Sequence, residues 1–218
     1  MASPIVVMPS LKHTATLIFF HGLGDTGQGW SSTMAALKPS YCKLICPTAP
    51  TSPVTLNGGY EMPSWFDLKT LDASGPEDED GIKKATQMVH SMIEDEIKAG
   101  IPSNRIAIGG FSQGGALAIF SALTLPKQLG AAVCLSGWLP LNKSFPGALK
   151  CPPTLPLLQC HGDCDPLVPF KWGQMTASIL KTLLSAPEFK SYSGLMHSSS
   201  DEELQDVKEF ISKCLPPV

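Results

Sequence analysis

Arg105-Ile106-Ala107-Ile108-Gly109-Gly110-Phe111-Ser112-Gln113-Gly114-Gly115-Ala116 is the stretch whose reading decides the fold. The apolar run Arg105–Gly109 reads as a strand, and a helical pattern begins near Ala116. Between them, Gly110-Phe111-Ser112-Gln113-Gly114 leaves room only for a very tight turn. Side chains at the two flanking positions would collide with the neighbouring strand and helix, which explains glycine at both. Ser112 is then forced into a strained conformation with its hydroxyl exposed above the sheet, at a helix N-terminus that favours negative charge. Strand, glycine-flanked serine and helix in that order are the context of a nucleophile elbow.

Outward from the elbow, short apolar runs alternate with helical patterns. Thr16–Phe20, Lys43–Cys46, Arg105–Gly109, Gly130–Leu135, Leu157–Cys160 and Glu188–Tyr192 read as strands, four of them apolar nearly throughout, as strands covered on both faces should be. Helices are expected near Ser31–Leu37, Ile82–Ala99, Ala116–Leu125, Lys171–Leu184 and Glu202–Lys213. In the second, Ile82, Ala85, Val89, Met92, Ile93 and Ile97 keep helical spacing, and Gly100 and Pro102 stop it. The alternation predicts an α/β fold: an open, mostly parallel sheet flanked by helices on both faces. The 218 residues read as one domain, 1–218, with no stretch long enough for a separate lid domain. Two segments break the rhythm. Pro47–Trp65, with four prolines and Gly58-Gly59, reads as a long structured loop. Asp72–Gly81, with five acids, reads as a solvated turn whose charges favour a helix N-terminus.

Composition excludes whole classes. Charged residues make up 16% of the chain against roughly 25% in a typical soluble domain, and mean hydropathy is +0.09. Yet no apolar run approaches the ~18 residues of a membrane span. A net charge of −3 and a pI near 5.9 argue against a nucleic-acid partner. The seven cysteines are odd in number and scattered without a CxxC pair, so they read as reduced thiols in the cytoplasm. Met1-Ala2-Ser3-Pro4-Ile5 has no basic leader pattern, and Ala2 stands where myristoylation needs glycine.

A serine hydroxyl is a weak nucleophile until a base takes its proton. Of five histidines, His13 lies in the N-terminal stretch and His90 on the polar side of a helix, while His21 and His161 directly follow strands. Where a strand-borne serine is followed in chain order by an acid and then a histidine, the order of an α/β-hydrolase, only His197 completes it at the carboxyl end of a strand. The acid falls between them, in His161-Gly162-Asp163-Cys164-Asp165-Pro166. Asp165 is preferred because Pro166 rigidifies the turn after it, with Asp163 as the alternative. Oxyanion donors are expected from the backbone N–H of Gln113, next to the serine, and of Leu23 in the glycine-rich loop His21–Gly27. Cys160, His161, Asp163 and Cys164 are dense in possible metal ligands, but no second Cys/His pair closes a four-ligand shell, so neither metal nor cofactor is expected. No phosphate-loop spacing occurs.

His21-Gly22-Leu23-Gly24-Asp25-Thr26-Gly27, Pro63-Ser64-Trp65-Phe66-Asp67, Gly109–Gly115, Ser136-Gly137-Trp138-Leu139-Pro140 and Met196-His197-Ser198-Ser199 together resemble the acyl-protein thioesterases, of the lysophospholipase/carboxylesterase family of small α/β-hydrolases. The resemblance runs from about Thr16 to the C-terminus. It implies a cytoplasmic serine hydrolase that removes S-palmitoyl groups from protein cysteines and also acts on lysophospholipids and small esters. By motif, Ser112, Asp165 and His197 fall on the family triad, and Leu23 and Gln113 on the oxyanion donors. Trp65, Trp138, Leu139, Leu167 and Val168 fall where the family lines an acyl channel, and loop 47–65 where it touches membranes. Two departures stand out. Family members often carry a cysteine at the extreme N-terminus that can itself be palmitoylated, whereas the first cysteine here is Cys42 and no stable lipid tether is expected; and Gly137 stands where close relatives tend to have cysteine. Rival readings are a lysophospholipase or small-ester carboxylesterase with the same triad, a non-catalytic lipid-binding module, and, more distantly, a serine peptidase.

Overall fold

The computed structural model describes residues 3–72 and 75–218, so the reading of Met1 and Ala2 lies outside the described residues. Nine strands and five α-helices follow in chain order: β1 Ile5–Val7, β2 Ala15–Phe20, α1 Gly27–Leu37, β3 Cys42–Cys46, β4 Thr51–Val54, β5 Tyr60–Pro63, α2 Glu79–Lys98, β6 Ile106–Phe111, α3 Gln113–Thr124, β7 Ala131–Leu135, β8 Leu157–Gly162, α4 Phe170–Leu183, β9 Glu188–Tyr192 and α5 Asp201–Cys214. Seven strands form one sheet in the order β1-β3-β2-β6-β7-β8-β9. Every pairing is parallel except that of the edge strand β1 on β3.

All six expected strands and all five helices are present, with shifted ends. β6 runs through Gly109 and Gly110 to Phe111, and β8 continues through His161 to Gly162. Glycine is depleted in strands, so a pattern reading stops at it too early. For the same reason α3 begins at Gln113 rather than near Ala116: Gly114 and Gly115 look like breakers but pack inside. Two features were not expected. β1 is only three residues long, too short for a period to register. Loop 47–65 carries an antiparallel hairpin, β4 against β5, pairing Thr51 with Pro63 and Val54 with Tyr60.

The pleat explains the apolar runs. In β2, Leu17 and Phe19 face one helical layer while Ile18 and Phe20 face the other, and all four are fully buried. One layer is α2, α3 and α4, whose Ile82, Val89, Leu117 and Leu180 join Ile106 and Ile108. The other is α1 and α5, whose Met34, Val207 and Ile211 join Ala107, Val133 and Leu135. Each Val, Leu, Ile, Phe or Met among them contributes roughly 1.5–3 kcal/mol of burial. α3, central and covered on all sides, is buried from Gln113 to Leu123 and so carries almost no polar face. Among the described residues no helix is long and apolar enough to cross a membrane.

The acidic segment is more than a solvated turn. Asp78 caps α2, its Oδ1 accepting from Gly81 N at 3.2 Å, and Glu79 and Asp80 occupy the first turn. Glu77 instead accepts from the Leu141 amide at 3.0 Å, tying the segment to the loop after β7.

One buried acid opposes folding at high pH. Glu203 in the first turn of α5 is fully buried, and neither carboxylate oxygen has a hydrogen-bond partner among the described residues. Burial, reinforced by the nearby Asp206 charge, pushes its carboxyl up to about 8. The folded state therefore holds this proton more tightly than the unfolded chain. The penalty is absent below the ordinary carboxylate range, grows as pH rises, and is complete above about pH 8. Glu203→Gln should raise Tm at pH 9 by roughly 5–10 °C, corresponding to a few kcal/mol, with the gain vanishing toward pH 4. Melting curves that differ equally at both pH values contradict this account.

Candidate active site

The elbow forms as the glycines demand. Ser112 sits between β6 and α3 at φ 54°, ψ −119°, a conformation that costs a non-glycine residue about 1–3 kcal/mol. Its amide donates to Leu135 O at 2.8 Å and its carbonyl accepts from Ala116 N at 2.9 Å, holding the turn from both ends. A Cβ on Gly110 would lie 2.3 Å from the backbone of Gly114, and one on Gly114 would lie 2.2 Å from Phe20 O.

His197 lies on the loop between β9 and α5, Asp165 on the turn after β8. The three residues form one hydrogen-bonded chain: Ser112 Oγ to His197 Nε2 at 3.0 Å, and His197 Nδ1 to Asp165 Oδ2 at 2.7 Å. The Asp165 carboxylate is shielded from solvent, and its other oxygen accepts from the Leu167 and Val168 amides, both at 2.9 Å. Burial alone would raise this carboxyl, but the hydrogen bonds from His197 and the two amides outweigh it and hold it below the ordinary carboxylate range. An ionised Asp165 accepts the Nδ1 proton of His197 and leaves Nε2 bare toward the serine hydroxyl, the protonation pattern a general base needs. The His197 ring packs on Phe111 at 4.8 Å between centroids, and Phe111 packs on Trp30 at 5.1 Å.

The two aspartates separate cleanly. Asp163 does not reach His197; its Oδ1 accepts from Gly194 N at 2.7 Å, bracing the loop that carries His197. His161, which the sequence offers only as a competing base and a possible metal ligand, sits fully buried in β8, its Nε2 3.7 Å from Asp165 Oδ2. Its Nε2 donates to Val168 O at 2.8 Å, while the Val168 amide donates to Asp165. Burial pushes its pKa down, so it supports the Asp165 turn as a neutral ring. The neighbouring Cys160 thiol meets the Tyr192 hydroxyl at 3.4 Å. Among the described residues no group of three or more His, Cys, Asp or Glu is arranged to hold a metal ion.

Beside Ser112 and His197 opens a cavity of about 600 Å³ lined by Leu23, Trp30, Leu68, Trp138, Leu167 and Val168 among others. Two expected lining residues border other cavities. Leu139 lines an adjoining narrow pocket, from which Trp138 and Leu68, shared by both, divide the Ser112 cavity. Trp65 borders a second cavity of about 560 Å³, with Pro50, Pro53, Phe66 and Met88, and is tied to the scaffold: its indole Nε1 donates to His21 O at 2.8 Å and its amide to Gln113 Oε1 at 3.1 Å. An indole N–H excluded from water needs a partner, and here it finds one in the loop beneath the site. The loop itself lies against the elbow, since a Cβ on Gly22 would be 3.4 Å from Ser112 Cβ.

The fold and this site define an α/β-hydrolase with a Ser–His–Asp chain at the carboxyl ends of its parallel strands. The chain belongs to the phospholipase/carboxylesterase family, whose model matches residues 1–215. It is 42% identical to acyl-protein thioesterase 1 of Gibberella zeae over 229 aligned residues, covering 99% of this chain and 97% of that one. It is likewise 42% identical to acyl-protein thioesterase 1 homolog 1 of Dictyostelium discoideum, over 94% and 92% of the two chains. Among solved structures it superposes on Zea mays acyl-protein thioesterase 2 with a TM-score of 0.91 at 35% identity, covering 99% of this chain and all of that one. On Arabidopsis thaliana SOBER1 the TM-score is 0.87 at 36% identity, over 93% and 99%.

Gly137 now has a physical reason. A Cβ there would lie 2.7 Å from Cys134 Sγ, 3.0 Å from Ser112 O and 3.1 Å from Ala116 N. A side chain at 137 and the sulfur at 134 compete for one space under the elbow. Gly137→Ala should lower Tm by roughly 3–8 °C, as overpacking of about 1–3 kcal/mol does in a chain this long. Adding Cys134→Ala should recover part of that loss. Strictly additive losses in the double variant contradict the shared-space explanation.

Proposed function

We propose that this protein is an acyl-protein thioesterase, a serine hydrolase that removes long-chain acyl groups, palmitoyl above all, from protein cysteines. The observation that carries the reading is the Ser112–His197–Asp165 chain facing a largely apolar cavity; the thioesterase relatives support the substrate class. In this mechanism Ser112 Oγ attacks the thioester carbonyl while His197 Nε2 takes its proton, and Asp165 orients the ring and stabilises the imidazolium. The amides of Leu23 and Gln113 donate to the oxyanion. On collapse, the C–S bond breaks and His197 returns the proton to the departing cysteine sulfur. Water, deprotonated by His197, then attacks the acyl-serine and releases the fatty acid.

The acyl chain lies along Trp138, Leu167 and Val168, where each buried CH₂ contributes ~0.8 kcal/mol. Leu56 and Tyr60, exposed by 39% and 71% on the β4–β5 hairpin and its turn, suit transient contact with a membrane surface. Seven free cysteines fit a reducing cytoplasm. The whole chain acts as one domain without a separate lid.

Ser112→Ala should abolish turnover and fluorophosphonate labelling while leaving the melting curve in place. Asp165→Asn should lower kcat by about 10³–10⁴-fold, the tautomer being lost. Specificity constants for a palmitoylated peptide should exceed those for a lysophospholipid; the reverse order would make this a lysophospholipase using the same triad. Activity retained by Ser112→Ala would overturn the mechanism.

A further inference from the structure

His21 directly follows β2, is fully buried, and makes two hydrogen bonds of opposite sense. Its Nε2 accepts from the Ala49 amide at 3.0 Å. A backbone N–H can only donate, so the ring hydrogen must sit on Nδ1, which donates to Gly22 O at 2.7 Å. Burial lowers the pKa of the ring and keeps it neutral, the only form that can satisfy both partners.

Gly22 O and Leu23 N–H belong to one peptide unit. That unit is planar and trans, so its carbonyl and its N–H point in opposite directions. Anchoring the carbonyl on a buried imidazole therefore turns the Leu23 N–H the other way, toward the cavity that Leu23 and Ser112 line together. The Asp25 amide adds a second bond to the same carbonyl at 3.2 Å. Trp65 extends the brace across the site: its indole holds His21 O, its amide holds Gln113 Oε1, and Gln113 Nε2 in turn donates to Phe66 O at 2.8 Å. Gln113 and Leu23, the two proposed oxyanion donors, are thus joined beneath the cavity by one hydrogen-bonded chain through His21 and Trp65.

We propose that His21 is a positioning residue for the reaction, its Nδ1–H on Gly22 O setting the direction of the Leu23 oxyanion donor. The inference rests on the reading of Ser112 as nucleophile and Leu23 as donor. A histidine that merely filled the core would need only its shape, whereas this role needs a donor at the Nδ1 position.

The test compares His21→Asn, whose amide nitrogen falls where Nδ1 was, with His21→Gln, whose amide nitrogen falls nearer Nε2. kcat and KM are measured on a short-chain p-nitrophenyl ester, and affinity on a trifluoromethyl ketone that forms a tetrahedral oxyanion adduct with the serine. His21→Gln should lose about 100-fold in kcat with KM unchanged, and lose ketone affinity in parallel, as misdirecting an oxyanion donor does. His21→Asn should stay within about tenfold of wild type in both. Equal losses in the two variants, a loss confined to KM, or a fall in kcat without a fall in ketone affinity overturns the proposal. The tautomer is checked independently of any variant by long-range ¹H–¹⁵N correlation spectra of the wild-type protein. His21 must be Nδ1-protonated, and the Nε2–H form refutes the role even if both variants fail to fold. Ser112→Ala, run alongside, separates the two levels: if it keeps activity the mechanism itself falls, and if it is dead while His21→Gln matches wild type only the role of His21 falls.

Discussion

The contact on which the rest of this structure depends is the approach of the α3 N-terminus to the end of β2. The backbone at Gly114 lies so close to Phe20 O that not even a methyl group fits between them. That approach makes the β6–α3 turn tight, and the tight turn puts Ser112 at positive φ with its hydroxyl above the sheet. It also sets the start of α3 beside the glycine loop that leaves β2, so the two stretches that carry the proposed oxyanion donors become neighbours. The strain at Ser112 is offset by a helix buried along nearly its whole length.

The charge deficit and the positive mean hydropathy find their place in the same architecture. A parallel sheet covered on both faces needs apolar residues at every strand position, and β2, β7 and β8 are buried from end to end. α3, enclosed by sheet and neighbouring helices, needs them around its full circumference. Part of the exposed apolar surface borders the Ser112 cavity, where Leu56, Leu71 and Leu167 stand among the lining residues. An apolar yet span-free chain thus follows chiefly from which faces of the sheet are covered.

Much of the molecule was legible in the sequence because its signals are local. Strand runs, helical periods and the glycines of the elbow each depend on neighbours a few residues away. The order Ser112, Asp165, His197 was legible because each stands just beyond a strand, and parallel strands put all such positions at one end of the sheet. Roles that depend on a distant partner were not legible. Trp65, a large aromatic in a proline-rich loop, looks like channel lining, but its N–H is spoken for by His21 O, 44 positions away in the chain. Leu139 has the right chemistry and the right neighbour in Trp138 and faces the adjoining pocket. The hairpin β4–β5 hid behind its prolines, which edge strands tolerate and patterns penalise.

By itself, then, the sequence determined the α/β alternation, the position of the elbow and the three residues able to meet there, since these follow from short-range sterics and from the polarity of a parallel sheet. The Pro166 turn and the family motif already favoured Asp165 over Asp163; the tertiary structure added what each carboxylate does, Asp165 meeting His197 and Asp163 holding the Gly194 amide on the loop that carries it. It alone also revealed His161 under the Asp165 turn and the His21–Trp65–Gln113 brace beneath the cavity. Those roles rest on the direction of individual N–H and C=O groups across strands far apart in sequence, and direction in space is what no one-dimensional pattern carries.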